Sequence, residues 1–327
     1  MVEGRATEEF ITEAAEKALK VKENIKVIED VIESNVLKDK SPEARLGRFK
    51  MTVRAAYGEF MCTLLFYGPI FGTIMNFTIS GDNGNLRSLA TAFVGGFQAI
   101  GVSFAFSSVS GAHFNSSISF ALWLTGKLSN RRLVLYVAVQ LLASIVAMAI
   151  MTAIFHGDLQ TAYEACTVTP ADDNTLGRVF ATEFFLTFFL TYIAFTVAFE
   201  EAETQKKDTM SFKSISDSKG LTLYASTPQS KTGFAPFSIG LTIFSLSLIG
   251  GTSGGAFNPG RLFGPAIFSG KWDYLWLYWI GEVMGASFAG LLVTNLHRFG
   301  LKKDSSQKDE GAPAAEVLSR ALRSTKS

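Results

Sequence analysis

The sequence predicts an all-α membrane protein: six transmembrane helices and two re-entrant half-helices, built as an inverted 3+3 repeat. Three observations predict it. Residues 88–112, 133–155 and 232–260 contain no Asp, Glu, Lys or Arg. Two polar stretches, S-G-A-H-F-N-S-S-I-S-F (residues 110–120) and S-G-G-A-F-N-P-G-R-L-F (residues 253–263), interrupt otherwise apolar surroundings. The two halves of the chain also echo each other at three separated places.

The uncharged runs come first. A helix needs roughly 20 apolar residues to cross about 30 Å of hydrocarbon. Hydropathy gives six spans, at about residues 55–79, 86–109, 133–155, 177–199, 234–249 and 274–297. Of the 327 residues, 48% are hydrophobic and only 18% charged, and the formal net charge is +1. That balance implies no strongly charged partner such as a nucleic acid. From the polar start, M-V-E-G-R-A-T-E-E-F, no signal peptide is expected. Cys62 lies in an apolar run and Cys166 in a polar loop, so neither a disulfide nor a metal site is expected, and no cofactor is implied.

Basic residues set the orientation. Arg45, Arg48, Lys50 and Arg54 precede span 1, and Lys127, Arg131 and Arg132 lie between spans 2 and 3. Lys206, Lys207, Lys213, Lys219 and Lys231 lie between spans 4 and 5, and Arg298, Lys302 and Lys303 follow span 6. The loop between spans 3 and 4 instead holds Asp158, Glu164, Asp172 and Asp173. The positive-inside bias places both termini in the cytoplasm, as an even number of spans requires. The membrane expected is the plasma membrane or that of a vesicle or vacuole.

The repeat explains the polar stretches. Span 1 carries Glu59, Phe60 and Thr63, and span 4 carries Glu183, Phe184 and Thr187. Both polar stretches read S-G-x-x-F-N. Span 3 has Tyr136-x3-Gln140, and span 6 has Tyr278-x3-Glu282. Each half holds three spans, so the second enters from the other side. A short apolar segment follows each polar stretch (residues 118–124 and 262–267), too short to cross. A loop and half-helix dipping in from each face, meeting near mid-membrane, accounts for both; irregular backbone survives at that depth only inside protein or along a wet cavity. Asn115 and Asn258 would cap the half-helices. Their positive ends would then point at the meeting place.

At these residues the chain resembles the major intrinsic protein family, the aquaporins and glycerol facilitators. S-G-A-H-F-N, N-P-x-R with Arg261, and the following Phe263, Gly264, Pro265 and Ala266 carry the resemblance, which runs from about residue 53 to 297. It implies the family's right-handed bundle, assembled as a homotetramer in the lipid bilayer with one pore per subunit. It puts Asn115 and Asn258 at the pore centre and Arg261 in an outer constriction, whose other walls fall by spacing on Gly95, Leu246 and Gly255. The chain departs from the family at Asn115-Ser116-Ser117 and Asn258-Pro259-Gly260, where two Asn-Pro-Ala triplets are usual. It departs again at Glu282, where proline is usual.

The expected function is a passive water channel that excludes ions and protons. Leu262 follows the arginine where glycerol channels usually have Asp, and Tyr278-Trp279 looks like the water subgroup. Small residues at the constriction leave glycerol or another small neutral solute as the alternative. A non-conducting adhesive protein is disfavoured by the retained asparagines. An enzyme is disfavoured because His113 and Ser117 lack an acidic partner, and no catalytic residue is assigned. Glu59, Glu183, His113, Gln140 and Glu282 are expected to brace the re-entrant loops. A buried, charged Glu282 is costly. It must therefore face protein, find donors, or hold a proton that it donates to a loop carbonyl.

Three regions are expected: a cytoplasmic tail (1–50), the channel (51–298, with repeats at about 51–156 and 177–298) and a mostly disordered C-terminal tail (299–327). Ile11, Ala14, Ala18, Val21, Ile25, Ile28 and Ile32 form a heptad seam. That helix could stand as a solitary amphipathic helix, lie against its own subunit, meet its copies in a tetramer or hold a regulatory partner.

Overall fold

The structure, a computed structural model, describes residues 41–81, 84–170, 174–211 and 234–307. The heptad-patterned tail, most of the loop between spans 4 and 5, and residues 308–327 lie outside the described residues. By internal contacts the chain divides into two units, Met51–Leu296 and Met1–Lys50 with His297–Ser327. Of the latter, residues 42–50 and 297–307 are described as helical.

All described regular structure is helical. Its elements are α1 (Pro42–Ile79), α2 (Gly84–Ser110), α3 (Ser116–Leu124), α4 (Asn130–Ile154), α5 (Leu159–Cys166), α6 (Leu176–Ser211), α7 (Ala235–Ile249), α8 (Pro259–Ser269) and α9 (Leu275–Gln307). Five of these, α1, α2, α4, α6 and α9, are long and apolar enough to cross a membrane. The fifth expected span, α7, has 15 residues, or about 22 Å at 1.5 Å per residue. It is short because the chain must leave the helix at Gly250, through a 3₁₀ turn over Gly250–Thr252, to begin the second re-entrant loop. The expected short segments are α3 and α8, of 9 and 11 residues.

Large apolar side chains face outward along these helices, among them Phe93, Phe97, Phe185, Phe189 and Phe288. Such exposure suits lipid, where apolar surface costs nothing. The interior holds a cluster built from α1, α2, α4, α6 and α7, including Phe66, Phe71, Val102, Met148, Leu190 and Ile243. The two halves join most closely where α2 crosses α7. A Cβ on Gly96 would lie 2.6 Å from Phe244 Cβ, and one on Gly240 would strike the Gly96 carbonyl. Only glycine at both positions permits this backbone contact. α3 and α8 meet inside the unit, each against α4.

Unlike the sequence reading, the segment between spans 3 and 4 is not all loop. Residues 159–166 form α5, capped by Asp158, whose carboxylate accepts from Thr161 N at 3.1 Å. Cys166 is the last residue of this helix rather than part of a polar loop, and it is fully buried; it and Cys62 are both free thiols.

Candidate functional site: the junction of two half-helices

Each re-entrant loop is an irregular turn that repeats almost angle for angle. Gly111, Ala112 and Phe114 have φ of 97°, 50° and 34°, and Gly254, Gly255 and Phe257 have 95°, 62° and 35°. Positive φ is strained for any residue but glycine. Hydrogen bonds over-determine the strained turn.

A buried carboxylate gathers each loop. Glu59 Oε1 accepts from His113 N and Oε2 from Phe114 N, both at 2.9 Å. Glu183 Oε1 accepts from Ser253 Oγ at 2.6 Å and Ala256 N at 3.1 Å, and Oε2 from Phe257 N at 2.8 Å. The loop serines are held from behind: Tyr136 OH donates to the Ser110 carbonyl at 2.8 Å, and Tyr278 OH to that of Ser253 at 2.5 Å. His113 is packed, its Nδ1 3.0 Å from Ser119 Oγ and its ring edge-on to Tyr136.

The loops end at the two asparagines. Asn115 Oδ1 caps α3, accepting from Ser117 N at 2.9 Å, and Asn258 Oδ1 caps α8, accepting from Gly260 N at 3.1 Å. Each side chain also crosses to the other half. Asn115 Nδ2 donates to the Phe257 carbonyl at 2.8 Å, and Asn258 Nδ2 to the Phe114 carbonyl at 2.7 Å. An amide nitrogen has two N–H donors, so one on each remains beyond this exchange.

The serine that replaces the usual proline is used. Ser116 Oγ donates to Gln140 Oε1 at 2.9 Å, and Ser116 N makes a long 3.4 Å contact to Asn258 Oδ1. Gln140 Nε2 donates to Glu59 Oε2 at 2.8 Å and Ser119 Oγ at 3.1 Å. On the other side, Ser144 Oγ donates to the Gly260 carbonyl at 2.5 Å and accepts from Gly264 N at 3.1 Å.

A cavity of about 480 Å³ runs past this junction. Asn115, Asn258, Arg261, Gly95 and Gly255 all line it. Leu246 does not; it is buried in the apolar cluster, and α7 presents Ile243 and Ser247 to the cavity instead. Glu59, Glu183, His113, Gln140 and Glu282 stand behind the lining. Arg261 is fixed by two contacts: Nη1 donates to the Cys166 carbonyl at 2.6 Å, and the guanidinium lies 5.3 Å from the Phe71 ring centroid. Sequence reasoning missed both Cys166, as the acceptor that aims Arg261, and Ser144. A backbone carbonyl leaves no residue-type signature. Ser144 follows Gln140 by one helical turn, which is the signal that could have found it.

The family model of the major intrinsic protein matches residues 47–216 and 220–293. The chain belongs to the major intrinsic protein family. Among curated relatives it is 40% identical to Aquaporin-B of Dictyostelium discoideum, over 73% of this chain and 81% of that one. It is 33% identical to an aquaporin of Encephalitozoon hellem, over 75% and 95% of the two chains. Among solved structures it is similar to the aquaglyceroporin from Plasmodium falciparum, with a TM-score of 0.60 and 21% identity, covering 74% of this chain and 96% of that one. That likeness speaks to the fold alone. Membership of this channel family, with its apolar helices, makes the chain an integral membrane protein.

Proposed function

We propose that the protein is a passive channel for water, conducting past Asn115 and Asn258 and excluding ions and protons. The observation that carries this reading is the reciprocal asparagine pair on one cavity wall. Each amide spends one N–H on the opposite loop, and the second is available to a passing oxygen. A water accepting from both must turn its own protons away from the centre, which interrupts a chain of water-to-water hydrogen bonds. The N-terminal ends of α3 and α8 bring positive potential to the same point, and Arg261 adds a full charge further along. Cations are repelled, while neutral polar molecules pass.

A second substrate class has its own support. Gly95 and Gly255 offer the cavity no side chain, so the wall shared with Arg261 is roomy for a three-carbon polyol. We propose water as the main substrate and glycerol or a similar small neutral solute as an additional one. The assembly proposed is a homotetramer with both termini in the cytoplasm, on the basic-residue asymmetry and the family's habit. The 51–298 segment is the channel, flanked by cytoplasmic tails.

Purified protein in liposomes, given an osmotic step and followed by light scattering, tests this reading. Faster shrinkage than empty liposomes, with no collapse of an imposed proton gradient, is expected. Shrinkage no faster than that of empty liposomes overturns the channel; glycerol flux without water flux overturns the choice of substrate.

A further inference from the structure

Each half of the chain sets one long polar side chain of its last helix behind its re-entrant loop. In α4 it is Gln140, four residues after Tyr136; in α9 it is Glu282, four residues after Tyr278. The two tyrosines do the same work on the two loop serines. The two loop carboxylates do too, up to one bond. Glu59 Oε2 accepts from Phe114 N and from Gln140 Nε2. Glu183 Oε2 accepts from Phe257 N, the repeat equivalent of Phe114 N. The second donor in that half would have to come from the place of Gln140, and Glu282 stands there.

Glu282 is fully buried, and neither carboxyl oxygen has a hydrogen-bond partner among the described residues. The residues that satisfy Gln140 are Ser116 and Ser119. Their repeat equivalents are Pro259 and Leu262, which have no side-chain donor. The groups near enough to act electrostatically with Glu282 are Glu183 from α6, Tyr67 from α1, Tyr278 from its own helix and the backbone N–H of Asn258. That N–H points toward the carboxyl without reaching hydrogen-bond geometry. Arg261 acts on Glu183 and Tyr67, and no described cation pairs with Glu282. Two buried carboxylates that interact without a cation between them disfavour double ionisation. Three donors favour the anion at Glu183, and none reaches Glu282. The shared proton therefore belongs on Glu282.

We propose that Glu282 is a resident protonated carboxylic acid whose O–H donates to Glu183 Oε2, as the Gln140 amide donates to Glu59 Oε2. It is a positioning residue: it acts on the second loop through Glu183 and stands outside the cavity lining. It thereby completes the second brace without adding a negative charge beside Asn258. This inference rests on the repeat and on burial, not on which solute passes.

Infrared spectroscopy of the reconstituted protein at neutral pH tests it. The native chain should show a carbonyl stretch of a protonated carboxylic acid, shifted in D₂O. Glu282→Gln should abolish that band while keeping the native thermal midpoint, because its amide makes the same bond as Gln140. Glu282→Leu should abolish the band and lower the midpoint. No such band in the native protein, a band that survives in Glu282→Gln, or a Glu282→Gln chain that fails to fold each overturns the proposal.

Discussion

Asn115 and Asn258 cap their own half-helices and hold each other's loops. Each carboxamide oxygen accepts from its own helix, and each nitrogen donates to the carbonyl of the phenylalanine before the other asparagine, at 2.8 and 2.7 Å. One side chain thus carries two structural bonds. Asn258→Ala removes a cap, at about 0.5–2 kcal/mol, and the bond to Phe114. The expected outcome is a lowered thermal midpoint in detergent and a matching loss of osmotic permeability. A fully stable, fully conducting Asn258→Ala would contradict the assigned geometry.

Restoring the family triplet should cost stability here. Ser116→Pro removes the hydroxyl that Gln140 Oε1 accepts from and the N–H that approaches Asn258. An acceptor left buried and unpaired costs about 1–3 kcal/mol. The Ser116→Pro, Ser117→Ala chain should unfold earlier than the native protein, yet lose less permeability than Asn115→Ala. Thermal scans beside liposome measurements check both halves of the statement.

Glu59→Gln and Glu183→Gln should reduce folded yield before they alter selectivity. In each, one oxygen that accepts from loop N–H groups becomes an NH₂ pointing at a donor. The penalty is about 1–3 kcal/mol or more for a charged acceptor. Size-exclusion profiles report yield, and the water-to-glycerol ratio of the surviving protein reports selectivity, which should stay native.

Arg261→Val should widen the passage near Cys166 and remove a fixed positive charge. Larger neutral solutes, and protons, are expected to cross faster than in the native chain. Unchanged permeabilities in a well-folded Arg261→Val would separate Arg261 from the path.

Acid should loosen α5. Lys271 Nζ donates to Glu164 Oε2 at 2.7 Å, tying α5 to the end of α8. That bond first, and one from Gln160, hold the Glu164 carboxyl below its ordinary value of 4.5. A carboxyl depressed in the fold stabilises it fully above that ordinary value and loses its contribution as pH falls through the lowered one. Asp158, held low by Thr161, acts in the same direction. Hydrogen-exchange protection of α5 should therefore drop with acid in the native protein. In Lys271→Ala it should start lower and fall less.

The bundle and the half-helices were legible because hydrocarbon imposes a length and a polarity that few sequences meet by accident. Residues 110–120 stood out by the same contrast, with polar groups where lipid forbids them. α5 was not legible: eight residues that follow Asp158 and include Glu164 read as loop, and the Asp158 cap together with the packing of Ala162 and Cys166 makes them a helix. Leu246 shows another limit. Successive helical residues differ by about 100°, so spacing finds the turn of α7 but not whether Ile243, Leu246 or Ser247 faces the cavity. Glu282 was conspicuous by composition alone. Its pairing with Glu183 could be proposed only when its repeat equivalent Gln140 was seen touching Glu59.

The crossed asparagine bonds join residues 142 and 144 positions apart. A chain made from its N-terminus finishes α3 long before Asn258 exists. Until then Asn115 has no Phe257 carbonyl to reach, and the Phe114 carbonyl has no donor from the second half. The bonds that lock the first loop therefore depend on residues made in the last third of the protein. Both crossed bonds can form only after residue 258 has been made, so the junction is completed no earlier than that, through contacts distant in sequence.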